Sequence, residues 1–102
     1  MLPVIQSKRE ELDGLCRRFQ VKQMELFGSA ARGDFDPELS DLDFLVEFER
    51  LPPAKYMDAY FSLKEGLELM FGRPVDLVTK SSVVNPYFLE SIESTSQLLY
   101  AA

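Results

Sequence analysis

The 102-residue sequence contains no histidine and one cysteine, Cys16. Without imidazole, Ser–His–Asp and Cys–His catalysis are excluded, as are His-ligated zinc sites. A lone cysteine excludes an internal disulfide and fits a reducing cytoplasm. Cys16 falls on the apolar side of a predicted helix and reads as a small core residue, not a nucleophile. No apolar run approaches the ~20 residues of a membrane span. The opening MLPVIQSKREEL lacks the basic-then-apolar pattern of a signal peptide. Positive charge is also scarce, with 11 Lys and Arg against 17 Asp and Glu, a net charge of −6. Broad binding to duplex nucleic acid needs a basic face and is therefore not expected. A phosphorylated ligand would need a metal or a local positive site. The five glycines form neither a P-loop nor a dinucleotide-binding pattern.

What the chain does hold is core-forming material. Apolar residues make up 46%, with eight Phe and four Tyr, enough for one domain spanning 1–102. Ser7 with Glu10 fits a capping box, and Leu12, Leu15, Cys16 and Phe19 follow at helical spacing, giving a helix to about Arg18. Val21–Phe27 reads as a strand ended by Gly28. Ser29–Gly33 reads as a short helical turn with Ser29 as N-cap, and Asp34–Ser40 as a turn-rich loop. Leu42–Phe48 is a second strand, with Leu42, Phe44, Val46 and Phe48 on one face. A long helix is expected over about Ala54–Phe71, with the stripe Tyr56, Ala59, Tyr60, Leu63, Leu67 and Met70, ended by Gly72 and Pro74. Val75–Val78 reads as a third strand, and a last helix is expected from Asn85-Pro86 to about Tyr100. The fold expectation is α+β with α/β-like character: a small mixed β-sheet with helices packed on it.

The second and third strands are joined by a helix, so they are expected to run parallel. The first is expected to run antiparallel to the second. Asp41, Asp43, Asp76 and the Gly28-Ser29 turn would then meet at one sheet edge. Asp41 and Asp43 share a strand face, and like charges so close need a positive partner. Three carboxylates without nitrogen or thiolate donors suit Mg²⁺, with Mn²⁺ as the other hard cation that fits. Gly28-Ser29 opening a helical turn suits a phosphate, and Arg32 one turn on could add a charge-assisted contact. Together these point to two-metal phosphoryl or nucleotidyl transfer.

Gly28-Ser29, an eleven-residue spacer, Asp41-Leu42-Asp43 and a later Asp76 resemble the DNA polymerase β nucleotidyltransferase superfamily. The landmarks ELFGSAARGD, SDLDFLVEF, GRPVDLV and NPYFLESI are similar to the minimal nucleotidyltransferases, the MNT-type antitoxin group. The spacer is one residue longer than the family's usual one, an insertion placed in Asp34–Ser40, where loops tolerate it. The resemblance implies that Asp41, Asp43 and Asp76 ligate two Mg²⁺ ions and that Asp76 orients or deprotonates the acceptor hydroxyl. It implies that Gly28 and Ser29, assisted by Arg32, hold the triphosphate of ATP. The implied activity moves AMP to a hydroxyl, a tyrosine, of a HEPT-type RNase toxin, which it neutralises as an antitoxin. Related enzymes acting on antibiotics carry an added acceptor domain, and this length leaves none, so the acceptor is expected on another molecule. The alternative is a non-catalytic antitoxin that masks its partner by binding. A small-molecule nucleotidyltransferase is disfavoured by length.

Plainer readings stand beside these. Asp41 and Asp43 alone could be solvated charges at a strand start, and Ser29 an ordinary cap. Asp34, Asp36 and Glu38 read as a polar loop, since an EF-hand register fails: from Asp34, position twelve is Leu45, and from Asp36 the required glycine is Asp41. Tyr56, Met57, Tyr60 and Phe61 read mainly as core, with a partner-binding patch as the other reading. The C-terminal Tyr87, Phe88, Ile92, Leu98 and Leu99 carry the same ambiguity.

Overall fold

A computed structural model describes residues 3–33 and 41–102. The expected loop Asp34–Ser40 lies outside these described residues. The chain opens with α1 (Pro3–Ser7) and α2 (Arg9–Arg18). The capping box does not form. Ser7 Oγ donates back to the Val4 carbonyl at 3.0 Å, and Lys8, without a side-chain cap, starts α2. The reason is that helix begins earlier than expected, at Pro3, and buried Ile5 holds that extra turn on the core. Leu12 and Cys16 are buried, as their spacing requires. The Cys16 thiol sits 3.9 Å from Met24 Sδ, and burial pushes its pKa up to about 12, so it is a core residue that stays protonated.

Next come β1 (Val21–Phe27), α3 (Ser29–Arg32), β2 (Leu42–Phe48), α4 (Pro53–Phe71) and β3 (Val75–Thr79). A single 3₁₀ turn (Lys80–Ser82) leads to α5 (Pro86–Thr95) and β4 (Gln97–Ala101). The four strands form one mixed sheet in the order β3-β2-β1-β4. As expected, β2 and β3 are parallel and β1 is antiparallel to β2.

The expected final helix to Tyr100 is corrected: α5 stops at Thr95, and β4 pairs antiparallel with β1. Within β4 the exposure runs Leu98 exposed, Leu99 buried, Tyr100 half-buried, a strand alternation too short to announce itself. Without β4, one edge of β1 would present unpaired backbone groups beside the core, and that ladder decides the conformation.

One face of the sheet carries the main core. Leu42, Phe44 and Val46 of β2 meet Leu63, Leu67 and Phe71 of α4 and Leu12 and Cys16 of α2. The Phe44 and Phe71 rings stack at 6.0 Å. Leu45 is also buried, on the opposite face. That face receives α5: Ile92 is buried, Lys80 Nζ lies 3.2 Å from Glu93, and Ser96 Oγ donates to Glu25, which pairs with Leu45. As a central strand covered from both sides, β2 loses the alternation expected of a half-buried one.

β3 is the edge, and side chains occupy its outward backbone groups. Val75 N–H donates to Glu68 Oε2 at 3.1 Å, and the Leu77 carbonyl accepts from Tyr60 Oη at 2.7 Å. The Thr79 carbonyl accepts from Ser82 Oγ at 2.8 Å. Helix α4 thus both fills the core and blunts the edge against pairing with another chain. Met57 and Phe61 of α4 and Tyr87, Phe88 and Leu98 remain exposed. Among the described residues no helix is long and apolar enough to cross a membrane.

Truncating the fully buried Phe44 to alanine is expected to cost about 3–5 kcal/mol, by lost transfer energy plus a cavity. The matching change at exposed Leu98 is expected to stay within about 0.5 kcal/mol. Denaturant melts of the two variants check both figures.

Candidate active site

Strand directions bring the end of β1 and the starts of β2 and β3 to one sheet edge. Across a single rung, Phe27 pairs with Asp43 and Asp43 with Asp76. Paired residues in parallel neighbours share a face, so the Asp43 and Asp76 carboxylates project side by side from strands about 4.8 Å apart. Asp41, two residues earlier, precedes β2 and is exposed. Asp76 is exposed on the edge strand, whereas Asp43, between two strands, is half-buried.

Gly28 closes the site from the β1 side. It has φ +72° and ψ −153°, a region open essentially to glycine alone. A Cβ added there would run into Asp43 Oδ2 and lie 3.0 Å from its Cγ. The Asp43 carboxylate is therefore packed on the bare α-carbon of Gly28. Gly28 also starts α3, its carbonyl accepting from the Ala31 and Arg32 amides at 3.1 Å each. This corrects the expectation that Ser29 caps the turn. Gly28 takes the cap position, because only a residue without Cβ can turn there beneath Asp43, and Ser29 becomes the first helical residue.

Asp43 feels the whole cluster. Its pKa is raised from 3.8 to about 6, first by burial, then by the charges of Asp76 and Asp41, while Arg32 pulls it down. The structure thus brings Gly28, Asp43 and Asp76 into direct neighbourhood. It places Asp41 and Arg32 within electrostatic reach of Asp43, and Ser29 at the start of the same turn. Among the described residues, no three acidic or thiol groups stand together as a ready-made cation cage. The donor set nevertheless fits a hard divalent ion, because Mg²⁺ is usually held by one or two carboxylates with water and substrate phosphate completing its shell. A half-buried carboxylate whose pKa is raised by burial and by two neighbouring negative charges is a place where a cation would be favourable.

Two supports of this edge carried no sequence signal. Glu68 of α4 pins Val75, next to Asp76, and Gln97 Nε2 of β4 donates to the Ala31 carbonyl of α3 at 3.1 Å. Both are tertiary contacts between residues whose sequence surroundings are ordinary.

Two outcomes follow from this geometry. Gly28→Ala is expected to destabilise the chain by about 1–3 kcal/mol from backbone strain, and more through displacement of Asp43. A denaturant melt beside wild type measures it. Since the Asp43 pKa is raised on folding, the native state holds a proton that the unfolded chain releases. Its contribution is present in full below about pH 4 and is lost as pH rises through about 6. Without divalent metal, wild type should therefore lose stability relative to Asp43→Asn across that window, in melts taken at stepped pH.

The nucleotidyltransferase domain family model matches residues 8–99. A Methanocaldococcus jannaschii protein named provisionally as protein adenylyltransferase MJ1379 is 45% identical over 76 residues, 74% of each chain. Protein adenylyltransferase MntA of Thermococcus cleftensis is 42% identical over 69 residues, 68% of this chain and 66% of its own length. A solved structure described provisionally as a minimal nucleotidyltransferase superposes with TM-score 0.76 at 33% identity, covering 90% of this chain and 89% of that one. The fold is also shared with an MNT antitoxin solved in complex with a tri-AMPylated HEPN toxin of Shewanella oneidensis. That likeness has TM-score 0.65 and 20% identity, covering 96% of this chain and 73% of that one. The small mixed sheet with packed helices matches these minimal structures, and the chain belongs to the nucleotidyltransferase domain family, among its minimal members.

Proposed function

We propose that this chain is a Mg²⁺-dependent protein adenylyltransferase. It moves AMP from ATP to a tyrosine hydroxyl of a partner toxin and neutralises that toxin as an antitoxin. The observation that carries the reading is the rung in which the Asp43 carboxylate lies on Gly28 and beside Asp76. That rung joins a phosphate-approach turn to paired carboxylates. The relatives named as protein adenylyltransferases and the fold neighbour bound to a HEPN toxin support the substrate and partner class, here a toxin of HEPN or HEPT type.

In this reading Asp41, Asp43 and Asp76 would hold two Mg²⁺ ions, with Mn²⁺ able to substitute. When bound, the metals would supply charge neutralisation for the triphosphate and the reacting oxygens. Gly28 and Ser29 hold the triphosphate at the start of α3, and Arg32 adds a charge-assisted contact. Asp76 orients the acceptor and takes its proton. The acceptor oxygen bonds to the α-phosphorus, the bond from that phosphorus to the bridging oxygen breaks, and pyrophosphate leaves. The two carboxylate environments suit this division. Asp43 is half-buried between strands, whereas Asp76 is exposed on an edge strand where a large acceptor can approach. The chain acts as one minimal domain in the cytoplasm.

The test is transfer of label from α-phosphate-labelled ATP to the purified partner toxin, with Mg²⁺. Label on the toxin is expected, falling about a hundredfold or more in Asp43→Asn and lost when the metal is chelated. Neutralisation by a tight complex with no label would show instead that the fold masks its partner without catalysis.

A further inference from the structure

The turn carrying Ser29 and Arg32 is held by more than its flanking strands. Helix α3 has four residues, too few to persist by itself, and its last carbonyls have no partner within the helix. One of them is met from the far end of the sequence. Gln97, the first residue of β4, donates its Nε2 amide to the Ala31 carbonyl at 3.1 Å. A carbonyl accepts only from the nitrogen end of the amide, so the side-chain orientation is settled. Oε1 is then left buried, with no hydrogen-bond partner among the described residues. A buried acceptor without a donor is costly, and an apolar side chain of the same length would avoid that cost. The surroundings brace the same point. Gln97 pairs with Leu26, two residues before Gly28, and neighbouring Ser96 Oγ donates to Glu25 Oε1 at 3.2 Å. The start of β4 is thus tied both to β1 just ahead of the Gly28 turn and to the turn itself.

We propose that Gln97 is a positioning residue for nucleotide binding: its amide clamps α3 so that Ser29 and Arg32 meet the phosphates from a preset geometry. The inference rests on the reading of Gly28-Ser29 as a triphosphate cradle. A clamp of this kind acts through the fraction of molecules already in the competent conformation, which divides directly into the apparent dissociation constant. It touches neither the reacting atoms nor the carboxylates, so its loss falls on nucleotide affinity before it falls on the transfer step.

Two measurements on the full chain test it. The first is the Kd for a non-hydrolysable ATP analogue with Mg²⁺. The second is amide hydrogen exchange at residues 29–33 without ligand. Gln97→Met removes the donor and the orphaned acceptor together, so its melt should move little while its Kd rises about fivefold or more and exchange in α3 accelerates. Gln97→Leu removes the same donor with an uncharged side chain, adds no negative charge beside the phosphates, and should show the same loss of affinity. Asn85→Ala is the stability control. It removes the α5 cap that accepts from Tyr87 and Phe88, at 2.9 and 3.3 Å, and should leave nucleotide affinity unchanged. Wild-type binding that is undiminished in both Gln97 variants, or equal loss in Asn85→Ala, overturns the clamp alone. Failure of wild type to bind the analogue overturns the cradle reading and the clamp with it.

Discussion

The contact between the Asp43 carboxylate and the bare α-carbon of Gly28 constrains the rest of the site. For it to exist, β1 must end in a residue able to adopt φ +72° with ψ −153°. β2 must also run antiparallel in the register that sets Asp43 opposite Phe27. The parallel pairing with β3 then places Asp76 alongside. A one-residue slip of β2 would turn Asp43 into the core and Phe44 into the site, because strand neighbours face opposite ways. The buried Phe44, stacked on Phe71, therefore guards the site by fixing the register that positions Asp43.

That arrangement is unfavourable in itself. A carboxylate half withdrawn from water beside two others is pushed toward its neutral form, with Arg32 giving only partial relief. The fold offsets the strain elsewhere, chiefly through the core that α2 and α4 complete against β2. In the proposed reaction the cluster is neutralised by cations arriving with the nucleotide. That electrostatic cost is then what makes the site receptive to them.

Helix α4 links stability to access. Its stripe of Ala59, Leu63, Leu67 and Phe71 buries the sheet, while Tyr60 and Glu68 reach the backbone of β3. β3 can thus remain an edge strand, with Asp76 exposed, without presenting an open ladder to other chains. On the opposite side, α5 and β4 cover β1 and return the chain to the α3 turn. Both ends of the sheet are in this way tied to the edge where the carboxylates lie.

Much of this was legible from residues alone. The bounds of β1 and β2, the α4 stripe, the parallel β2–β3 pair and the convergence of Gly28, Asp43 and Asp76 follow from periodicity, glycine punctuation and crossover rules, all of them local signals. Local chemistry misled where a distant partner decided the outcome. Ser7 met the requirements for a capping box, yet Ile5 found a place in the core and moved the helix start to Pro3. Leu98-Leu99-Tyr100 read as the end of a helix, yet the unpaired edge of β1 drew it into a strand. Ser29 had the right side chain for a cap, yet Gly28 had to occupy that position beneath a carboxylate fifteen residues away in sequence. The sequence by itself determined which residues are candidates for metal and phosphate binding and where they fall relative to the strands, because residue type and short-range spacing carry that information. Only the tertiary structure decided the fourth strand, the glycine–carboxylate contact and the Gln97 clamp, because each joins groups far apart in sequence whose pairing energy exists only once the sheet has closed.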